Sequence, residues 1–273
     1  MINTNNMEEQ NKKINIQDGI LIKGIFSICR GKRIHFSQGN LQYQASTDTW
    51  RFADFQCDII GEDNRKISKK YDGWIDLFGW GTSGYKNKYP YMISEEEDDY
   101  GDKGNDIAGT NYDWGVYNKI SNGGNKVGIW RTLTIKEWDY IFNGRPHCNK
   151  LYSTGSVDGV RGMILLPDDW ECKIENVYFS PKAGDWKTND YTMKEWMEME
   201  TYGAVFLPGE TPYRFGDFVD KGGNYGSYWS STAFGVAYYA FPLIFDCENI
   251  ITLGATYESR HYGRFVRLVQ DVE

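Results

Sequence analysis

The sequence predicts an α+β protein, and three observations carry the prediction. Short apolar runs, several alternating with period two, stand at both ends of the patterned part of the chain from about Ile20 onward, with two helix signals among them and no regular strand–helix–strand alternation. Both helix signals are complete capping boxes, a Thr followed three residues later by a Glu. Composition agrees. The 30 Gly, 20 Tyr, 14 Phe and 10 Trp among 273 residues, with a mean hydropathy of -0.60, describe short strands and long loops pinned by rings.

Residues 1–18 are rich in Asn, Glu and Lys and carry no apolar run, so they read as a disordered or loosely attached segment and not as a secretory signal. One domain is expected over 19–273, opening with a β-hairpin region over about 19–55. Phe26 to Phe36 gives two short runs across the turn Arg30-Gly31-Lys32. Leu41–Ala45 and Trp50–Phe52 alternate on either side of Ser46-Thr47-Asp48, which reads as a hairpin with one covered face. Asp58 to Asp72 is a polar connector. From Trp74 to Tyr85 rings alternate with glycines, the pattern of an irregular loop whose rings plug a core. Lys86 to Gly128 has hardly any periodicity, and Tyr112, Trp114 and Tyr117 are expected to staple it to the body.

Thr134-Ile135-Lys136-Glu137 is the first capping box, with Leu133 and Trp138 placed as a hydrophobic staple. Ile135, Trp138, Tyr140, Ile141 and Phe142 supply an apolar surface, and Gly144 then Pro146 end the helix. Val157-Asp158-Gly159-Val160 is a tight turn, and Met163–Pro167 a buried strand. Thr192-Met193-Lys194-Glu195, flanked by Tyr191 and Trp196, starts a second helix that runs to about Glu200. Gly203–Pro208 is another buried strand. The tail, 226–269, has a regular lead-in (Gly226 to Thr232) and an alternating exit (Gly263 to Val269). Between them, Ala233 to Cys247 is too aromatic for a solvated loop and too irregular for a simple strand.

Charge and reactive residues narrow the function. A net charge of -8 argues against nucleic acid and against anionic membrane. The run Glu95-Glu96-Glu97-Asp98-Asp99 with Asp102 reads as a solvated loop, because a hard-cation loop needs ligands at defined spacing. Cys29, Cys57, Cys148, Cys172 and Cys247 are scattered without metal or redox spacing and read as mostly reduced, buried small residues. His35, His147 and His261 are equally isolated, so neither metal nor cofactor is expected. No apolar stretch reaches the length of a membrane span. The expected location is a virion surface, or a cell surface if a leader was removed, and otherwise the cytoplasm.

Six stretches carry a resemblance. They are Phe36–Tyr43, Gly73–Gly81, Trp130–Thr134, Leu165–Trp170, Gly203–Pro208 and the Tyr228–Val269 tail. Together they resemble the C-type-lectin-like domains of gut bacteria and their phages, relatives of the variable proteins of diversity-generating retroelements and, distantly, of formylglycine-generating enzymes. The resemblance implies a C-type-lectin-like fold of short antiparallel strands, two short helices and long loops that present one face. In diversified members that face is the C-terminal stretch. The family's tail runs Tyr-Trp-Ser-Ser, an insert, then Ala-Tyr-x-Leu-x-Phe-Asp, which Ala240–Asp246 follows with Phe241 and Pro242 substituted. Leu243 and Phe245 would then point inward, and Pro242, Ile244 and Asp246 outward.

Adenine-directed diversification of Asn-type codons never yields Lys, Glu, Gln, Met or Trp. Between Ser230 and Val269 only Glu248 and Glu258 break that rule. Two explanations stand, a diversified surface and a naturally apolar hairpin. The leading reading is a non-catalytic receptor-binding protein, a phage receptor-binding tip or a surface adhesin, whose partner is a protein or glycan receptor on a cell surface. Its expected contacts are Phe234, Val236, Tyr238, Tyr239, Phe241, Pro242, Ile244 and Asp246, with Tyr257, His261 and Tyr262 beside them. An oxidase like the formylglycine-generating enzymes is disfavoured because Cys247 lacks a nearby partner cysteine. A calcium-dependent sugar lectin is disfavoured because no Glu-Pro-Asn, Gln-Pro-Asp or Trp-Asn-Asp triplet occurs.

Overall fold

The computed structural model describes residues 16–171, 174–175, 177–209, 213–214, 217–218, 225–236, 238–246 and 251–272. Strands β1 (Ile16–Gln17) and β2 (Ile20–Leu21) pair across Asp18-Gly19, both at positive φ. The expected loose segment therefore yields at its end. Ile16 and Gln17 belong to a ladder, because the Asp-Gly pair supplies the left-handed backbone of a tight turn. The remainder of that segment, 1–15, lies outside the described residues.

Strands β3 (Phe26–Cys29) and β4 (Lys32–Phe36) form the first expected hairpin, turning at Gly31 with φ 80°. Strands β5 (Leu41–Gln44) and β6 (Thr49–Phe52) form the second. Leu41, Tyr43, Trp50 and Phe52 enter the core, as the alternation requires. Gln42 is buried as well, and Arg51 lies 4.0 Å over the Trp74 ring, so the outer face is also partly covered. The connector 58–72 contains one 3-10 turn, Gly61–Lys66.

The loop from Trp74 onward packs as expected, with Phe78 and Trp80 fully buried. In the long unpatterned region, Tyr112 and Trp114 are buried. Tyr117, expected as a third staple, stays 40% exposed and only edges the Tyr85 ring. A helical turn, α1 (Trp114–Tyr117), starts there on the Asp113 side chain, which accepts from the Gly115 N–H. Asp113 is wholly buried and also accepts from the N–H and hydroxyl of Thr132, so it ties α1 to β7 (Arg131–Thr132).

Both capping boxes form. Thr134 opens α2 (Ile135–Asp139), which widens into a π turn over Tyr140–Gly144 before Arg145 ends it. Thr192 opens α3 (Met193–Glu200). In each, the threonine hydroxyl accepts from the glutamate N–H while the glutamate carboxylate accepts from the threonine N–H. Trp138 and Trp196, one residue past each glutamate, are the buried anchors. Burying a ring of this size contributes at least ~2 kcal/mol, more than either short helix gains from propensity.

Strands β8 (Tyr152–Val157) and β9 (Val160–Leu165) close on Asp158 and Gly159, at φ 50° and 81°. Flanking them are β10 (Asp190–Tyr191), parallel to β8, and β11 (Val205–Pro208), antiparallel to β9. A short ladder joins β12 (Tyr213–Arg214) to β13 (Asp217–Phe218). The chain then runs β14 (Tyr225–Ala233), β15 (Tyr239–Asp246), β16 (Ile251–Thr252), β17 (Glu258–Ser259) and β18 (Leu268–Asp271). Strand β18 inserts between β4 and β7, so the C-terminal strand is central to a sheet begun by the N-terminal hairpin. The α+β class holds, with mostly antiparallel sheets and few short helices.

Candidate binding surface at the C-terminal hairpin

Strand β14 is the foundation of the hairpin, and its residues are fixed by the frame. At Gly226 a Cβ would lie 2.0 Å from the Phe245 ring, so only glycine admits that ring. The buried Tyr228 hydroxyl donates to the Pro208 carbonyl at 3.0 Å and accepts from the Asn40 amide at 3.1 Å. Beside it the buried Arg267 donates to Gln56 at 2.6 Å and to Asn40 at 3.4 Å. Burial lowers the Arg267 guanidinium to about 10. Two tryptophans then exchange indole bonds across chain segments. Trp229 Nε1 donates to the Phe78 carbonyl at 2.7 Å, and Trp80 Nε1 donates to the Ser230 carbonyl at 2.8 Å.

Next comes a bulge. Trp229 pairs with Pro242 and Ala233 with Ala240, so Ser230, Ser231 and Thr232 stand opposite Phe241 alone. The surplus residues are satisfied elsewhere. The Ser231 N–H donates to Leu133 and its carbonyl accepts from Ile107, while the Thr232 hydroxyl accepts from the Ile135 N–H at the start of α2. The Ser230 hydroxyl donates to the Phe241 carbonyl. A proline lacks the N–H that a regular ladder uses, and Pro242 stands next to the bulge, at a point between the pairings of β15 with β17 (239–240) and β16 (244–245).

Beyond the bulge the hairpin tip is held through peptide groups. The Phe234 N–H donates to the Tyr239 carbonyl at 3.0 Å, and the Arg260 N–H to the Tyr238 carbonyl at 3.2 Å. The Arg260 side chain is fully buried 4.3 Å over the Trp80 ring, and its Nε donates to the Tyr239 carbonyl at 3.2 Å. Its Nη1 reaches the carbonyls of Tyr100 and Asp102, joining the hairpin to the acidic loop.

Six of the eleven expected contact residues gather at this tip. Phe234 and Tyr257 stack with ring centroids 4.0 Å apart and 19° between planes. Tyr239 and Phe241 meet Phe234 edge-on, and Tyr239 also touches Tyr257. Val236 is 48% exposed, Tyr238 53% and Tyr257 45%. His261 and Tyr262 lie at the base beside Tyr100 and Arg264, half-buried. Asp246 sits at the opposite end of the eight-residue β15, about 20 Å or more from the tip at the rise of an extended strand.

Two residues do not face outward as expected. Pro242 and Ile244 are buried, together with Leu243 and Phe245. The reason is that both faces of β15 are covered through this stretch, Leu243 and Phe245 by the main core on one side and Pro242 and Ile244 by the structure packed on the other. Alternation between core and solvent holds only where one face is open.

Three positioning residues escape a sequence reading. Trp80 and Asp106, whose carboxylate accepts from the Ala233 N–H at 2.8 Å, are more than a hundred residues from their partners. Arg260 had one signal, as the only cation between Tyr225 and Tyr262.

Other features do not converge on this surface. A cleft of about 320 Å³ is lined by Lys23, Asp169, Glu171, Thr201 and Tyr202, and one of about 340 Å³ by Ser156, Gly159, Arg161, Asp185, Trp186 and Lys187. Neither includes an expected contact residue. Among the described residues no group of three or more His, Cys, Asp or Glu side chains could hold a metal ion. Cys57 is buried, which pushes its thiol up to about 11, while Cys29 and Cys148 are free and half-buried, less enclosed than expected. Cys172 and Cys247, with Glu248 and Asn249, lie outside the described residues. Among the described residues no helix is long and apolar enough to cross a membrane. Compared with known proteins, the chain matches no family model, no curated protein and no solved structure.

Proposed function

We propose that this chain is a non-catalytic binding protein that presents its C-terminal hairpin, on a C-type-lectin-like scaffold, to a protein or glycan receptor on a cell surface. In this reading it is a target of a diversity-generating retroelement, such as a phage receptor-binding tip or a surface adhesin. One observation carries the reading. Four aromatic rings, Tyr257 exposed and Phe234, Tyr239 and Phe241 half-buried, touch one another at the hairpin tip beside the exposed Val236 and Tyr238, an apolar surface that a folded chain gains nothing from leaving open. Aromatic side chains on a rigid frame make contact area at low conformational cost.

The scaffold part of the reading is supported by the capped helices and by β18 closing a sheet with the N-terminal hairpin. The diversified part is supported by the residue types at the tip, all of which lie within the set that adenine-directed change can reach.

The test uses labelled protein on a panel of intact bacterial cells and on a glycan microarray. Wild type should bind at least one surface saturably. Tyr238→Ala combined with Tyr257→Ala should weaken that binding by about tenfold or more, as the loss of two contact rings implies. The melting temperature should move by only a few degrees, because both side chains are about half exposed. Binding unchanged in the double variant would refute the assignment.

A further inference from the structure

The hairpin tip has no exposed positive side chain. Between Tyr225 and Tyr262 the only cation is Arg260, which is fully buried. The loop next to the tip is strongly acidic. From Glu95 to Asp106 there are seven carboxylates and one lysine, Lys103. Lys103 is itself drawn to Asp98 at 3.5 Å, and Lys88 reaches in to donate to the Asp98 carbonyl. Glu95, Glu96, Asp98 and Asp106 are exposed.

Loop and tip are fastened together. One guanidinium, that of Arg260, donates to Tyr239 on the hairpin and to Tyr100 and Asp102 on the loop, at 3.2, 3.5 and 3.4 Å. Asp106 accepts from Ala233, and the Ile107 N–H donates to the Ser231 carbonyl at 2.9 Å. The part of the loop joined to the hairpin therefore lies within about one Debye length of it at ordinary ionic strength, ~10 Å. Ring faces carry negative potential and attract cations, and nearby carboxylates add to that field.

We propose that the aromatic tip and the acidic loop together take a basic peptide segment, rich in Lys or Arg, on a protein partner. The rings would hold the aliphatic stems and cationic heads, and the loop carboxylates would pair with those heads and speed encounter. An anionic glycan or lipid surface is repelled by this field, and a neutral glycan gains nothing from it. The inference rests on the reading of the hairpin as a binding surface and adds the charge of what it binds.

A phage-displayed library of random dodecapeptides tests it, panned on wild type and on two variants whose melting curves are first matched to wild type. One variant is Tyr238→Ala with Tyr257→Ala. The other is Glu95→Gln with Glu96→Gln and Asp98→Asn. Wild type should enrich peptides of net positive charge, and each variant should lose that enrichment by about tenfold. Enrichment of neutral or acidic peptides that only the tyrosine variant loses would overturn this inference and leave the hairpin reading standing. Basic peptides lost only by the acidic-loop variant would mean non-specific charge attraction and would overturn both. No enrichment on wild type would overturn the inference.

Discussion

Trp80→Phe is the sharpest probe of how the hairpin is built. The Trp80 indole is fully buried, donates to the Ser230 carbonyl at 2.8 Å and lies 4.3 Å under the Arg260 guanidinium. Phenylalanine keeps the ring but removes the N–H, so a buried carbonyl beside the bulge is orphaned at a cost of about 1–3 kcal/mol. The smaller ring leaves a void and a weaker cation–π face, together worth roughly another 1 kcal/mol. The expected total is about 3 kcal/mol, or a fall in melting temperature of roughly 6–12 °C for a chain of this size. Thermal unfolding followed by far-UV circular dichroism reads it, with Trp74→Phe as the comparison. Trp74 is half-buried and stacks only on Arg51 at 4.0 Å, so its loss should cost less than about 1 kcal/mol. If Trp80→Phe melts no lower than Trp74→Phe, the exchanged indole bonds do not hold the hairpin and the account of the frame is wrong.

Three further outcomes are expected. Glu137→Gln should cost about twice what Glu195→Gln costs in urea unfolding, because Glu137 closes its capping box and also pairs with the partly buried Arg131 at 3.0 Å, whereas Glu195 only caps; equal costs would remove Arg131 from the explanation. Gly226→Ala should destabilise by the upper end of about 1–3 kcal/mol, since its Cβ meets the Phe245 ring, and soluble protein with an unchanged melting point would contradict that packing. Burial raises the Asp113 carboxyl to about 6 against the hydrogen bonds from Gly115 and Thr132. The fold thus keeps a proton that the unfolded chain has lost, and this contribution is whole below about pH 4 and lost as pH rises through about 6. The deficit of Asp113→Asn relative to wild type should therefore shrink by about 3 kcal/mol between pH 4 and pH 7, and a deficit that is constant or grows with pH would show the opposite sign.

What could be read from the sequence was local. Each capping box needs only two side chains three residues apart, and both formed as read. The Asp158-Gly159 turn needs only two residues that tolerate positive φ. Leu243 and Phe245 are inside, as their spacing requires. Pro242 and Ile244 were misread because the alternation rule assumes an open face, and nothing in Ala240–Asp246 announces that both faces of β15 are covered. The Asp113 cap of α1 did have a signal, an acidic residue before Trp-Gly-Val-Tyr, but the Gly- and Asn-rich surroundings hid it. The exchanged indole bonds had none, since about 150 residues separate each donor from its acceptor.

The tip's anchoring has a consequence for how such a surface can change. Every hydrogen bond described at the tip, from Phe234 to Tyr239, from Arg260 to Tyr238 and from the guanidinium to Tyr239, ends on a peptide group of the hairpin. Peptide groups are the same for almost every side chain they carry, so these bonds place little demand on which residues stand at Phe234, Tyr238 and Tyr239. Under the binding function proposed above, folding and recognition are thereby written in separate alphabets, one in main-chain atoms and one in side chains, and the hairpin could change partners without reopening the problem of how to fold.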